Sequence, residues 1–198
     1  MTGRSASRSR TTKETSIAIG LDVDGPTGVV EVSTGLPFFD HMLDQIGRHG
    51  GFDLTVEATG DLHVDGHHTV EDVAIALGEA FREALGDKAG CRRFASGLYP
   101  LDEALVEVAL DLSGRPFTAY DVPFGEVLPL GDPPFNPEMA EHFWQSFATA
   151  AGITLHVRLR EGRNTHHIVE ATFKGVARCL RYAVRVEGGG IPSTKGTI

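Results

Sequence analysis

Two adjacent histidines with a glutamate three and four places on occur twice in this chain, as His67-His68-Thr69-Val70-Glu71 and His166-His167-Ile168-Val169-Glu170. Residues three and four apart share a helix face. Glu71 therefore lies beside His67 or His68, and Glu170 beside His166 or His167. Two imidazoles and a carboxylate at that spacing make half of a metal site. A lone histidine is more often a surface or hydrogen-bonded core residue. The second copy tips the balance, because it stands in register with a repeat of its surroundings. Asp40-His41 matches Glu141-His142, and Gly51-Phe52-Asp53-Leu54-Thr55-Val56 matches Gly152-Ile153-Thr154-Leu155-His156-Val157. Six of the nine histidines thus fall at three pairs of equivalent positions.

The repeat supplies eight candidate ligands: His41, His67, His68, Glu71, His142, His166, His167 and Glu170. One arrangement consistent with the symmetry groups His67, Glu71, His142 and His167 on one ion, and His41, His68, His166 and Glu170 on another. Adjacent histidines point to different sides of a helix, so each pair serves two metals. A ligand set divided between subunits satisfies that geometry and makes the metal an assembly element. Nitrogen and carboxylate donors without thiolate suit Mn²⁺, Fe²⁺, Zn²⁺ or Ni²⁺. Four protein ligands on an octahedral ion leave two positions for a substrate. Asp40 and Asp72 are candidates either for orienting imidazoles or for helix-terminus charge. Arg92, Arg93, Arg115, Lys174 and Lys195 stand out in an acidic chain. An arginine fork grips phosphate in bidentate fashion, although for any one of them solvated surface charge is the simpler reading. Glu14 by itself indicates nothing.

Periodicity gives the elements that must hold these side chains. Alternation predicts a strand over 16–24, a turn at Gly25-Pro26-Thr27-Gly28 and a returning strand over 29–33, hence a hairpin. A helix opens at Pro37 and runs to about His49, where Gly50-Gly51 stops it. A strand over 52–58 and a helix over 69–85 complete a ββαβα order. Residues 91–100 join the halves. The second half repeats the order, with strands over 105–112 and 117–122, a Pro/Gly-rich loop over 123–137, a helix over 138–151, a strand over 153–159 and a helix over 166–184. The expected fold is α+β: duplicated ββαβα half-domains forming two four-stranded sheets, helices on one face, about a pseudo-twofold axis. The expected division is a disordered tail over 1–12, half-domains over 13–90 and 91–187, and a C-terminal tail over 188–198.

A net charge of −9 disfavours a nucleic-acid partner. No apolar run reaches the ~18–20 residues of a membrane span. Cys91 and Cys179 lack metal-knuckle spacing and read as small buried residues in a reducing compartment. The Ser/Arg-rich start has no apolar core and is not a secretory signal.

Four segments together resemble the imidazoleglycerol-phosphate dehydratase family, lyases of histidine biosynthesis. They are Leu36-Pro37-Phe38-Phe39-Asp40-His41-Met42-Leu43, Asp65-Gly66-His67-His68-Thr69-Val70-Glu71-Asp72, Asp111-Leu112-Ser113-Gly114-Arg115-Pro116 and Pro192-Ser193-Thr194-Lys195-Gly196. The likeness runs from about Lys13 to Ile198, and no phosphatase domain is attached, as in the monofunctional form. The resemblance implies dehydration of D-erythro-imidazoleglycerol phosphate to imidazole acetol phosphate through an imidazolate, with two Mn²⁺ per active site. It implies left-handed βαβ crossovers, against the usual handedness. It also implies a cytoplasmic homo-oligomer, a 24-mer built from trimers with active sites shared between subunits. By the same resemblance Glu14 is the catalytic acid/base, and Gln45, His49, Arg93, Arg115, Lys174, Ser193 and Lys195 contact the phosphate substrate, the last two from the C-terminal tail. Two rival readings share the metals: a dinuclear phosphate-ester hydrolase and a non-catalytic metal-storage shell.

Overall fold

The computed structural model describes residues 3–125, 128–196 and 198. The first half runs β1 (Ser5–Thr11), β2 (Thr15–Asp22), β3 (Val30–Ser33), α1 (Pro37–Gly50), β4 (Asp53–Gly60) and α2 (His67–Leu85). The second runs β5 (Phe94–Leu101), β6 (Ala104–Asp111), β7 (Phe117–Asp121), α3 (Met139–Ala151), β8 (Thr154–Glu161) and α4 (Thr165–Ala183). Two four-stranded mixed sheets result, ordered β1-β2-β4-β3 and β5-β6-β8-β7. The fold is α+β with duplicated ββαβα-like halves.

Side-chain alternation fixes which face each strand buries. Ile17, Ile19 and Leu21 of β2 turn inward, and Val106, Val108 and Leu110 of β6 repeat the pattern. α2 covers β1, β2 and β4, and α4 covers β5, β6 and β8. Across the molecule α1 packs on α4 and α2 on α3, so all four helices lie between the two sheets. α1 and α3 end alike, at Gly51 (φ 66°) and Gly152 (φ 67°), in the left-handed conformation that glycine adopts without a Cβ penalty.

Three expectations need correction. Residues 5–11 are not a disordered tail but the edge strand β1, paired antiparallel with β2 from Ser16 to Asp22. Ser5, Ser7 and Ser9 face out, while Ala6, Arg8 and Arg10 alternate with them on the other face. The arginines close the edge with ion pairs, Arg8 to Glu83 and Arg10 to Asp72, both on α2. Residues 94–101 are likewise not a joining segment but β5, paired antiparallel with β6. The expected hairpins over 16–33 and 105–122 do not form. β3 pairs parallel with β4, and β7 parallel with β8, at the opposite edge of each sheet. The hairpins are β1–β2 and β5–β6. Three strands per ββαβα unit could not fill a four-stranded sheet, and β1 and β5 are the missing fourth strands.

The core joins all four helices through aromatic rings. Phe143 of α3 meets Phe39 of α1 at 5.6 Å and Phe173 of α4 at 5.2 Å between centroids. Phe147 meets Phe81 of α2 at 5.8 Å, and Trp144 meets Phe173 at 4.8 Å. All six rings are 0–2 % exposed. Each fully buried ring of this size contributes about 1.5–3 kcal/mol, so the half-domains are fused by one continuous core.

Candidate metal centre

The helix pairing brings histidines from different halves together. His41 on α1 meets His166 and Glu170 on α4. His41 Nε2 and His166 Nε2 lie 3.4 and 3.0 Å from Glu170 Oε2. The pseudo-twofold counterpart joins His142 on α3 to His67 and Glu71 on α2. There His142 Nε2 is 3.3 Å from Glu71 Oε1, and the His67 and His142 rings lie tilted by 31° with centroids 4.3 Å apart. Two ligands ~2.1 Å from one cation at right angles stand about 3 Å apart, so both clusters have the spacing of a coordination shell. His142 Nε2 is buried without a hydrogen-bond partner. Such an orphan costs about 1–3 kcal/mol and fits a nitrogen kept for a metal. The donor set suits a divalent ion in each cluster.

Local contacts fix the start of α4 and the turn of α1 that carries His41. The Asn164 side chain caps α4, accepting from the His166 and His167 backbone N–H groups at 2.9 and 3.3 Å. Gln45 Nε2 donates to the His41 carbonyl at 3.2 Å and lies 3.3 Å from His41 Nδ1. Burial pushes the Glu170 carboxyl up, but the Lys174 ammonium, 2.7 Å away, with His41 and His166, more than offsets it and leaves it below its ordinary value. His49 stands beside this cluster. Desolvation, then Lys174 and Arg178, hold its imidazole below the usual range.

Each cluster gathers three of the four residues grouped from sequence. The fourth in each case lies elsewhere. His68 turns Nδ1 toward Asp61 at 3.0 Å and Glu14 at 3.7 Å. His167 turns Nδ1 toward Glu103 at 2.8 Å. The Asp61 hydrogen bond raises the His68 imidazole, and the Glu103 hydrogen bond raises that of His167. In return His167, with the Asn164 backbone N–H, draws the Glu103 carboxyl down to about 2.

Sequence reasoning missed Asp61 and Glu103. The signal was position, since Glu103 immediately precedes β6 as Glu14 immediately precedes β2. Asp72 and Asp40 orient no imidazole. Asp72 instead accepts from Arg10 Nε at 2.6 Å and from the Thr15 hydroxyl, tying α2 to the β1–β2 turn that carries Glu14. Asp40 accepts from Thr34 N and Oγ1 at 2.8 and 2.6 Å and fixes the approach to α1.

Arg93, Arg115, Ser193 and Lys195 line a second concavity with Pro192 and Thr194. Arg93 donates to Asp111 from Nε and Nη2, at 2.6 and 3.0 Å, and to the Pro192 carbonyl from Nη1 at 2.7 Å. It thereby seats the C-terminal tail as well as lending charge. Arg92 pairs with Glu187 at the surface. Cys91 and Cys179 are buried and free. Among the described residues no helix is long and apolar enough to cross a membrane.

Two half-domains with paired His–Glu clusters and a separate cationic cleft define a duplicated α+β protein whose donor sets are compatible with metal binding. The comparisons narrow this class to one family. The family profile described as imidazoleglycerol-phosphate dehydratase matches residues 34–180. The imidazoleglycerol-phosphate dehydratase of Acidothermus cellulolyticus is 57% identical over 196 residues, 98% of this chain and 93% of the relative. That of Parafrankia sp. is 54% identical over 197 residues, 98% and 99% of the two chains. Among solved structures, the Staphylococcus aureus enzyme superposes with a TM-score of 0.82 at 32% identity, over 92% of this chain and 99% of that one. The Pyrococcus furiosus enzyme, in complex with (S)-C348, gives 0.82 at 37% identity over 96% and 100%. The chain belongs to the imidazoleglycerol-phosphate dehydratase family, the dehydrating lyases of histidine biosynthesis.

Proposed function

We propose that the chain converts D-erythro-imidazoleglycerol phosphate to imidazole acetol phosphate with two Mn²⁺ ions per active site, in a cytoplasmic 24-mer built from trimers. The observation that carries this reading is the pair of pseudo-symmetric clusters, each with three converging donors and one containing a buried, unpartnered His142 Nε2. His41, His166 and Glu170 would hold one ion, and His67, Glu71 and His142 the other. His68 and His167, whose Nδ1 atoms face their own carboxylates, would complete the sites of neighbouring subunits through Nε2. When bound, the ions supply the Lewis acidity that favours the imidazolate form of the substrate ring and loss of the adjacent hydroxyl.

The protein's own groups do the rest. Glu14, half-exposed at the turn between β1 and β2, takes the C2 proton as general base. Arg93, Arg115, Ser193 and Lys195 hold the phosphate, away from the reacting carbons, and so supply positioning energy. Gln45, His49 and Lys174, which surround the His41–Glu170 cluster, complete the substrate contacts. The test is dehydration of imidazoleglycerol phosphate by chelator-stripped protein, with and without added Mn²⁺. Metal-dependent appearance of the keto phosphate is expected. No product from fully Mn²⁺-loaded protein would sink the reading.

A further inference from the structure

Duplication sets Glu14 and Glu103 at equivalent points of the two halves. β2 and β6 register on β4 and β8 through Asp22↔Asp53 and Asp111↔Thr154. Eight residues before Asp22 is Glu14, and eight before Asp111 is Glu103. His68 and His167 are equivalents too. The twins nevertheless behave differently. Glu103 Oε2 accepts from His167 Nδ1 at 2.8 Å, while its Oε1 accepts from the backbone N–H groups of Asn164 at 2.7 Å and Arg163 at 3.2 Å. Glu14 stays 3.7 Å from His68 Nδ1, and Asp61 takes that nitrogen at 3.0 Å. Eight residues after Asp53 is Asp61, opposite Glu14; in the second half a bulge shifts the register between Leu105 and Val106, so the position opposite Glu103 is Arg163, a cation that cannot accept from Nδ1.

We infer that Glu103 and Asp61 are positioning residues that hold the Nδ1 sides of His167 and His68, and that Asp61 thereby releases Glu14 from its twin's duty for proton transfer. The inference rests on the metal reading above. A neutral imidazole has one N–H. A carboxylate at Nδ1 fixes the proton there, aims the ring and leaves the Nε2 lone pair for a cation. The grouping of Glu14, Asp61 and His68 is therefore not a third metal cluster. In the two ligand clusters His41, His142 and His166 face the glutamates with Nε2, whereas His68 and His167 face carboxylates with Nδ1. The second half has no carboxylate at the position of Asp61, so Glu103 itself holds Nδ1 there and is not free for proton transfer.

The experiment measures Mn²⁺ affinity of the full-length, chelator-stripped protein by competition with a chelating dye, in wild type, Glu103→Gln, Asp61→Asn and Glu14→Gln. Gln keeps an oxygen for the Asn164 and Arg163 N–H groups but presents its amide to Nδ1, which drives the imidazole proton onto Nε2. Glu103→Gln and Asp61→Asn should each bind Mn²⁺ about 10–100-fold more weakly, with turnover that rises as Mn²⁺ is added. Glu14→Gln should bind with wild-type affinity and gain no turnover at any Mn²⁺ concentration. Wild-type affinity in a Glu103→Gln protein with an unchanged thermal midpoint would overturn the inference, as would equal weakening by Glu14→Gln. A wild-type protein that takes up no Mn²⁺ would overturn the metal reading, and this inference with it.

Discussion

His142 Nε2 is the most informative single atom of the candidate site. It is buried, 3.3 Å from Glu71 Oε1, and makes no hydrogen bond. A cation ligated by both atoms would satisfy both. His142→Ala should therefore abolish one class of bound Mn²⁺ and leave the other, formed by His41, His166 and Glu170, in place. Metal analysis after gel filtration checks this, and an undiminished metal content would count against the cluster as a binding site. At this scale the ligand types were legible because HHxxE repeats at helical spacing. The Nδ1 partners were not. Asp61 and Glu103 come from strand ends that lie beside the histidines only after folding, and no spacing rule links residue 103 to residue 167.

Helix contact decides the next prediction. α2 and α3 approach so closely at Gly78 that an added Cβ would stand 2.6 Å from the Phe147 carbonyl oxygen and 2.7 Å from Ala150 Cβ. Helix propensity favours alanine there by ~1 kcal/mol, but overpacking costs about 1–3 kcal/mol, and a backbone oxygen cannot rotate away. Gly78→Ala should therefore lower stability in urea, and unchanged or raised stability would contradict the close approach. Asp53 governs a second element-scale effect. Its carboxylate accepts from Thr27 Oγ1 and from the N–H groups of Thr27, Gly28 and Val29, pinning the β2–β3 turn to the start of β4. Desolvation pushes its carboxyl up, but the Thr27 hydroxyl and the three N–H groups prevail and depress it. A depressed carboxyl stabilises the fold above its unfolded value, about 3.9, and that contribution vanishes as pH falls through the folded value. Asp53→Asn should flatten the acid limb of a urea-midpoint profile below pH ~4; an identical limb would remove Asp53 from the account. The same turn explains why the expected hairpin failed. Alternation identifies strands but not their partners, so β3 read equally well as a neighbour of β2 or of β4. β1 was hidden because two of its three inward residues, Arg8 and Arg10, are arginines, whose stems cover α2 while their charges reach Glu83 and Asp72.

For the whole molecule, the duplication was visible in the repeated histidines, while the surfaces through which copies meet were not, since a repeat within a chain carries no information about contacts between chains. Two kinds of contact are available. One is metal bridging through His68 and His167. The other is apolar: Phe94 and Leu98 on edge strand β5, and Phe117 on the opposite edge strand β7, are 54–59 % exposed and open to contact between copies. An ion held by three donors of one chain and one of its neighbour is a cross-link, so binding and assembly are thermodynamically linked. Apolar contacts have no such dependence on metal. Stripping Mn²⁺ with chelator at neutral pH should then break the proposed 24-mer into small oligomers rather than monomers, and adding Mn²⁺ back should restore it. Acid should act as the chelator does, because protons compete for the imidazoles and carboxylates. Light scattering on the same sample before stripping, after stripping and after reloading decides the matter. A full-sized particle that survives complete metal loss would show that metal bridging does not hold the assembly together, and collapse to monomers would show that the exposed phenylalanines hold nothing together.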